Sequence, residues 1–306
     1  MTKKKHRNVR HGEVQDAGPA RGVKGRHVKE RPPPVKSGPD WLAAHVKGWP
    51  VAVAVVLLLG AFAAQAITSM RQKCTTFDEI AHLPAGYSYL KMGDFRMNPE
   101  HPPLGKMIAA VPLLFHNLDG AFDSRSWQTG DEWTYGREFF FGGRKGNDAD
   151  TILFWGRLPM VALSLCLGLL VFFWARKMYG NAAGLFALFL FAFSPNFIAH
   201  GRLANTDVPI AFFVLLSLFC FDRALRRLTP LSAALAGVTL GLALLAKFSG
   251  LLMLPVFLIV AFIRLVDGSS MEVRFRKSFT VGMWRRKLPV MLVLFAVMIA
   301  ITYVVV

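Results

Sequence analysis

Residues 50–70 read PVAVAVVLLLGAFAAQAITSM, a run without a single charged side chain. At about 1.5 Å per residue, an α-helix over this run spans roughly 30 Å, the thickness of the hydrocarbon core of a bilayer. A secretory signal is not indicated, because its apolar core is shorter and lies nearer the amino terminus. The run therefore predicts a first membrane-spanning helix.

Six further apolar runs follow, so the sequence predicts about seven spans. Several runs are shorter than the usual ~20 residues, which fits tilted helices or helices extended by less apolar flanks. With 54% hydrophobic residues and a mean hydropathy of +0.40, the 306-residue chain is too apolar for a soluble protein. We predict an all-α polytopic membrane protein. The six runs cover residues 152–175, 182–199, 208–221, 231–246, 250–266 and 288–306.

The basic residues are concentrated in particular segments. Residues 1–49 hold twelve of the 36 Lys and Arg residues and few apolar ones, which predicts a disordered cytoplasmic tail. With this tail inside, three further basic groups fall on the cytoplasmic side, as the positive-inside rule requires: residues 176–177, 223–227 and 264–287. The net charge of +17 therefore indicates topology rather than nucleic-acid binding. Residues 71–150, 200–207 and 247–249 then face the extracytoplasmic side together.

The spans occupy residues 50–306, and the chain ends on TYVVV inside the seventh one. This last helix has no polar flank at its far end. The sequence therefore suggests a reading frame that is truncated or split at its carboxyl end.

The loop at residues 71–150 is far longer than a connection between two spans requires, and it carries eleven acidic and nine basic residues. We interpret it as a small domain with short helices near the membrane. Asp78 and Glu79 follow the first span, where partial desolvation raises the basicity of a carboxylate and suits it to act as a general base. They can also cap a helix that begins at Ile80, because acidic side chains favour helix N termini. The two interpretations are compatible.

Later in the same loop, Glu100 and His101 stand directly before two prolines. Together with His82 they could supply oxygen and nitrogen ligands to a divalent metal ion, and the alternative is that they are solvated loop residues. The prolines fit the first turn of an amphipathic helix at residues 104–114 that lies along the membrane surface.

Three more polar residues lie in or at the ends of predicted spans. Asp207 opens the fourth span, where a charge is costly enough to indicate a function, although Thr206 or Asp207 could simply cap the helix. Lys247 follows the fifth span and is either functional or an interfacial anchor. Arg157, in the outer part of the second span, is expected to pair with a loop carboxylate or a lipid phosphate.

These residues resemble the GT-C membrane glycosyltransferases, specifically the protein O-mannosyltransferase and aminoarabinose-transferase branch, glycosyltransferase family 39. The resemblance covers residues 50–266. It is carried by the Asp78–Glu79 pair after the first span and by the Glu-[Lys/His]-Pro-Pro-Leu motif at residues 100–104. An Arg…Asp segment at residues 202–207 and Lys247 extend it. The resemblance implies a GT-C-like helix bundle with a large extracytoplasmic first loop.

In this family a sugar carried on polyprenyl or dolichyl phosphate is transferred to an acceptor on the extracytoplasmic face, with inversion at the anomeric carbon. The resemblance implies that Asp78 is the base or the orienting carboxylate for an acceptor hydroxyl. Glu79 and Asp207 are the further catalytic candidates. Glu100 would help bind a divalent metal, with His101, or order the site.

His101 is a departure from the family pattern, because many aminoarabinose transferases place a Lys there beside the lipid phosphate. A neutral His is a poorer partner for phosphate than Lys. We therefore expect phosphate binding to fall more on Lys247, Arg202 or Lys106. The resemblance leaves the sugar open, and the acceptor can be a protein, a lipid or a glycan.

Two other classes compete with the predicted transferase. A transporter or flippase would need charged or Gly/Pro-broken segments at mid-span and an internal repeat, and neither is evident. A non-catalytic membrane subunit is the other alternative, favoured if the chain is complete at Val306. The leading prediction is a multi-pass enzyme of a bacterial-type inner membrane, with a cytoplasmic N terminus and an extracytoplasmic active site.

Overall fold

The computed structural model describes residues 48–274 and 278–306. The predicted tail, residues 1–49, lies outside this part except for its last two residues, and Trp49 already belongs to the first helix. The described chain contains, in order, α1 Trp49–Met70, α2 Phe77–Met92, α3 Leu104–Ala110, α4 Arg125–Thr129, α5 Glu132–Phe141, α6 Ala149–Tyr179, α7 Asn181–Ala192, α8 Pro195–His200, α9 Asp207–Arg226, β1 Arg227–Leu228, α10 Pro230–Ala246, α11 Met253–Val266, β2 Met271–Arg274, β3 Ser278–Val281 and α12 Trp284–Val305.

In the described chain, five helical segments are long and apolar enough to cross a membrane: α1, α6, α9, α12, and α11 together with the 3-10 turn Phe248–Leu252 before it. The prediction of about seven spans is corrected accordingly. Apolar helices lie at all seven places, but α7 has 12 residues and α10 has 17. The run at 182–199 breaks because Ser194, which precedes Pro195, is extended and ends the helix.

The predicted all-α polytopic class is confirmed, with one small addition. A three-stranded sheet joins the end of α9 to the connection between α11 and α12. Strand β1 pairs with β2 in parallel, and β2 pairs with β3 antiparallel. The sheet lies at the opposite end of α9 from Asp207.

Two apolar cores hold the long helices together. One joins α1, α6 and α7 around Phe62 and Phe191. The other contains residues of α9, α10, α11 and α12, and in it the rings of Phe221 and Phe257 stack with their centroids 4.1 Å apart. A third core packs α2, α3 and α5 on the start of α6 around Tyr87. The long first loop is therefore a folded unit fixed to a membrane-spanning helix.

Close backbone contacts hold α2 between two other helices. A side chain at Gly86 would collide with the carbonyl of Lys106 in α3, and one at Gly136 in α5 would collide with the carbonyl of Ile80. Both contacts depend on the absence of a Cβ atom. They fix the position of α2, which carries Asp78.

Candidate active site

Glu79 is a buried residue that organises the first turn of α2. The amide and hydroxyl of Thr76 both donate to its Oε2 at 3.0 Å. Arg157 donates from Nε to Oε1 at 2.8 Å and from Nη2 to Oε2 at 2.6 Å, and the amide of Ala204 donates to Oε1 at 3.1 Å. Burial raises the pKa of Glu79, but the hydrogen bonds and charge of Arg157 outweigh it and leave the pKa lowered. The carboxylate is thus ionised and already occupied by five donors.

The cap interpretation holds for Glu79, although α2 begins at Phe77 rather than at Ile80. Glu79 is the third residue of the helix and reaches back to Thr76, the arrangement of a capping box. Its geometry supports a positioning role, and the catalytic role that the sequence suggests for it stays a prediction.

Arg157 connects the end of α1 and the turn after it to the Glu79 carboxylate. Its remaining donors bind the carbonyls of Met70 at 3.0 Å, Lys73 at 2.9 Å and Cys74 at 2.8 Å. The side chains of Arg157 and Glu79 have no exposed surface. The prediction that Arg157 pairs with a loop carboxylate is therefore confirmed, and the pair fixes the end of α1 against α2 and α6.

Asp78 differs from its neighbour in burial and in hydrogen bonding. It is exposed, and in the described chain its carboxylate has no hydrogen bond and no ion pair. It lies in the first turn of α2, where the helix dipole stabilises a negative charge. Four residues on, His82 lies on the same helix face and is influenced by the Asp78 charge. Asp78 is therefore the unoccupied carboxylate of the pair.

His82 is buried between α2 and the segment before α9. Its Nδ1 lies 3.3 Å from the carbonyl oxygen of Ala204, and its ring meets the ring of His101 edge-on at 5.3 Å between centroids. Burial lowers the pKa of His82 to about 4, so the imidazole is neutral near pH 7. Donation from Nδ1 to the carbonyl leaves Nε2 as an acceptor.

The neutral His82 predicts a loss of stability in acid. Its folded pKa of about 4 lies below the ordinary 6.5, so between these pH values the unfolded chain binds a proton that the folded chain does not. Stability then falls as pH drops from 6.5 to 4, by on the order of 2–3 kcal/mol. His82→Asn keeps a donor for the Ala204 carbonyl but does not titrate. Unfolding followed from pH 7 to 4 should show a smaller loss for this variant, and parallel curves would contradict the assignment.

Lys106 is a buried cross-link inside the loop. Its Nζ donates to the hydroxyl of Tyr89 at 2.8 Å, to the carbonyl and side-chain oxygens of Asn98 at 2.6 and 3.0 Å, and to the carbonyl of His101 at 2.8 Å. Burial lowers its pKa to about 8. Lys106 uses its donors to hold the segment that presents His101, and its contact with a lipid phosphate stays a prediction.

Glu100 lies at the exposed edge of this segment. The side-chain amide of Asn98 donates to Glu100 Oε1 at 2.6 Å. Glu132 of α5 is its carboxyl neighbour, and burial together with a hydrogen bond to Glu100 raises the pKa of Glu132. In the described chain, no group of three or more His, Cys, Asp or Glu residues is arranged to hold a metal ion. The predicted Glu100–His101 metal site thus gains no support.

The motif around Glu100 also contains a residue that the sequence prediction missed. Asn98 has a φ of 51°, a left-handed conformation that Asn tolerates better than most residues. Its side chain and carbonyl connect Lys106 to Glu100. The position of Asn98 before Pro99, in the same MNPEHPP cluster as Glu100, was the sequence signal that could have identified it. No local pattern marked Glu132 as a neighbour of Glu100.

Asp207 and Lys247 form an exposed ion pair. Lys247 Nζ lies 2.9 Å from Asp207 Oδ1, and His200 Nδ1 lies 3.9 Å from Asp207 Oδ2. Thr206 is the N-cap residue of α9 but makes no side-chain cap hydrogen bond, and Asn205 Oδ1 accepts from the Asp207 amide at 3.1 Å. An exposed pair adds little stability, typically about 0–1 kcal/mol. Asp207 is thus not needed as a cap, and both charges face solvent.

Arg202 is a cation with two buried donors that are not used within the described chain. Its Nε and Nη1 atoms are buried and have no hydrogen-bond partner in the described chain. Burial and the nearby charge of Arg157 lower its pKa. Buried donors of this kind are costly unless something satisfies them, and a bound anion is the natural partner.

The three predicted polar segments meet in space. Ala204 contacts Glu79 and His82, while Lys247 contacts Asp207. A cavity of about 260 Å³ lies between the loop and the end of α10 and is lined by His101, Pro102, Leu244 and Phe248, among others. A second cavity, of about 250 Å³, lies between α6, α8 and α9 and is lined by Leu167, Phe197, His200, Asp207, Val208 and Ala211, among others.

A multi-pass helical bundle whose acidic and basic side chains converge at the ends of its spans has the architecture of a membrane glycosyltransferase. Residues 54–305 match the protein family described as dolichyl-phosphate-mannose-protein mannosyltransferase. The chain belongs to this family, within the GT-C glycosyltransferases of family 39, and uses a dolichyl-phosphate-linked sugar as donor. No curated protein and no solved structure matches it.

Proposed function

We propose that the chain transfers mannose from a dolichyl- or polyprenyl-phosphate carrier to a hydroxyl group of a protein acceptor, on the extracytoplasmic face and with inversion. The family description names both a mannose donor and a protein acceptor. The observation that carries the proposal is the free Asp78 carboxylate beside the fully occupied Glu79. One carboxylate reacts, and its neighbour holds it in place.

Asp78 takes the proton of the acceptor hydroxyl as the oxygen attacks the anomeric carbon. The bond to the carrier phosphate breaks in the same in-line displacement, which inverts the anomeric configuration. Because a lipid phosphate is a good leaving group, the step needs orientation and charge stabilisation more than a general acid. Glu79 and Arg157 supply orientation by fixing the turn that carries Asp78.

The carrier phosphate is bound by Arg202, with Lys247 and His101 at the edge of the site. The unpaired Nε and Nη1 of Arg202 supply two donors for phosphate oxygens. Gly201, the residue before Arg202, lines the cavity between α6, α8 and α9. Apolar side chains of the spanning helices α6 and α9 also line it. It receives the first isoprene units of the carrier.

Lys247→Met is expected to raise the KM for the lipid-linked donor about tenfold, because a phosphate contact worth roughly 1.5 kcal/mol is lost. A steady-state titration with the donor measures this. Lys177→Met is the matched control. Lys177 also forms an exposed ion pair, with Asp222, but it lies in the last turn of α6, away from the proposed site. The same KM for both variants would contradict phosphate binding by Lys247.

The proposal is tested by adding labelled polyprenyl-phosphate mannose, or labelled nucleotide-linked mannose, to vesicles that contain the purified chain and an acceptor peptide. We expect label in the peptide from the lipid-linked donor alone. Movement of labelled carrier between leaflets without transfer to any acceptor would instead identify a flippase and overturn the proposal.

A further inference from the structure

A polar cavity of about 290 Å³ lies where α1 ends beside the first two turns of α6. Arg71, Lys73, Asp150 and the aromatic residues Phe154 and Trp155 line it, together with a few apolar neighbours. None of the residues that we assign to sugar transfer lines this cavity. It is therefore separate from the proposed active site.

The charged side chains of this cavity make few contacts within the described chain. In the described chain, the side chains of Lys73 and Asp150 have no hydrogen bond and no ion pair, and Arg71 contacts only the ring of Phe154, at 5.3 Å from its centroid. Two cations and one anion thus face the same space. These charges are complementary to a zwitterionic ligand.

Hydrogen bonds to a buried side chain hold the backbone of one wall of the cavity. Arg157 binds the carbonyls of Met70, Lys73 and Cys74, and Arg71 and Lys73 of the same turn line the cavity. A preformed wall lowers the entropic cost of binding a ligand. The same guanidinium holds Glu79, so the cavity and the active site share one support.

The cavity adjoins the end of a membrane-spanning helix, which is where such a helix meets the lipid headgroups. It begins at Met70, the last residue of a spanning helix, and Trp155 is 36% exposed beside it. Trp side chains of this kind are enriched at the membrane–water interface. The ligands present at high concentration at this depth are phospholipids.

We propose that this cavity binds the headgroup of phosphatidylethanolamine, with the phosphate against Arg71 and Lys73 and the ammonium group against Asp150. A purely anionic headgroup would place its charge near Asp150 without a compensating cation. A trimethylated headgroup would lack the N–H donors that a carboxylate binds best. The proposal does not depend on which sugar or acceptor the active site uses.

The test titrates the purified full chain in detergent with short-chain phosphatidylethanolamine, phosphatidylglycerol or phosphatidylcholine, and follows bound lipid by native mass spectrometry. We expect phosphatidylethanolamine to bind about tenfold more tightly than the other two. Asp150→Asn should abolish that preference, and the double variant Arg71→Gln, Lys73→Gln should weaken binding of all three lipids. Lys145→Gln, an exposed charge change outside the cavity, should leave binding unchanged.

Two results would overturn the proposal. One is equal binding of the three lipids with no effect of Asp150→Asn. The other is displacement of bound phosphatidylethanolamine by polyprenyl-phosphate mannose at equal concentration, which would assign the cavity to the donor. Because the readout is lipid binding, an inactive enzyme that still prefers phosphatidylethanolamine would support this site and count against the proposed function alone.

Discussion

Arg157→Leu is expected to lower the free energy of unfolding by about 3–5 kcal/mol, because it leaves an ionised Glu79 buried without its counter-charge. The substitution also removes the donors for three carbonyls at the end of α1. Both side chains are fully buried, so water cannot replace the lost contacts. Denaturant unfolding of the chain in lipid–detergent micelles measures the change.

Arg144→Leu provides the matched control for this prediction. Arg144 also pairs with carboxylates, Asp119 at 3.3 Å and Asp123 at 2.8 Å, but both partners are exposed. Its loss should cost less than about 1 kcal/mol. The double variant Glu79→Leu, Arg157→Leu should be more stable than Arg157→Leu alone, since no charge is then left unpaired. Similar small losses for Arg157→Leu and Arg144→Leu would contradict the role of the buried pair.

Asp78→Asn is expected to reduce the transfer rate about 10²–10⁴-fold, the usual contribution of a general base. Asn keeps the shape of Asp but cannot take a proton from the acceptor. The unfolding midpoint should change little, because the Asp78 carboxylate is exposed, has no hydrogen bond in the described chain, and loses only a helix-dipole contribution of at most about 1 kcal/mol. The measurements are kcat with saturating donor and acceptor, and the midpoint of the same preparation.

Two further variants separate catalysis from structure. Glu79→Gln should lose activity and stability together, since its carboxylate is bound by Arg157, Thr76 and Ala204. Asp123→Asn, an exposed carboxylate elsewhere in the loop, should change neither. A wild-type transfer rate for Asp78→Asn would remove this residue from the mechanism.

The sequence predicted the membrane fold well because uninterrupted apolar runs have few alternatives in a bilayer. It also predicted that Arg157 pairs with a loop carboxylate, since a charge inside a span needs a partner. The prediction missed where α7 stops because it relied on apolarity alone, although Pro195 after Ser194 was a signal for a helix end. The small sheet was missed as well, since β1 has only two residues and pairs with a strand far along the chain.

In the active site, the residue types were easier to predict than their contacts. Asp78 and Glu79 are adjacent and look equivalent in sequence, yet Glu79 is buried against α6 and Asp78 is exposed. Lys106 reads as a cation available to phosphate, and only the folded loop shows that Asn98 and its neighbours occupy its donors. Such differences depend on packing between segments that are far apart in sequence.

The most direct test of the central claim, that Asp78 promotes a single inverting displacement, is the anomeric configuration of the product from one turnover. Purified chain is mixed with excess acceptor peptide and polyprenyl-phosphate mannose of known configuration, and the product is analysed by NMR spectroscopy. We predict a mannosyl peptide with the configuration opposite to that of the donor, formed by the wild type and not by Asp78→Asn. Retention of configuration, or mannose bound covalently to the protein, would contradict this mechanism.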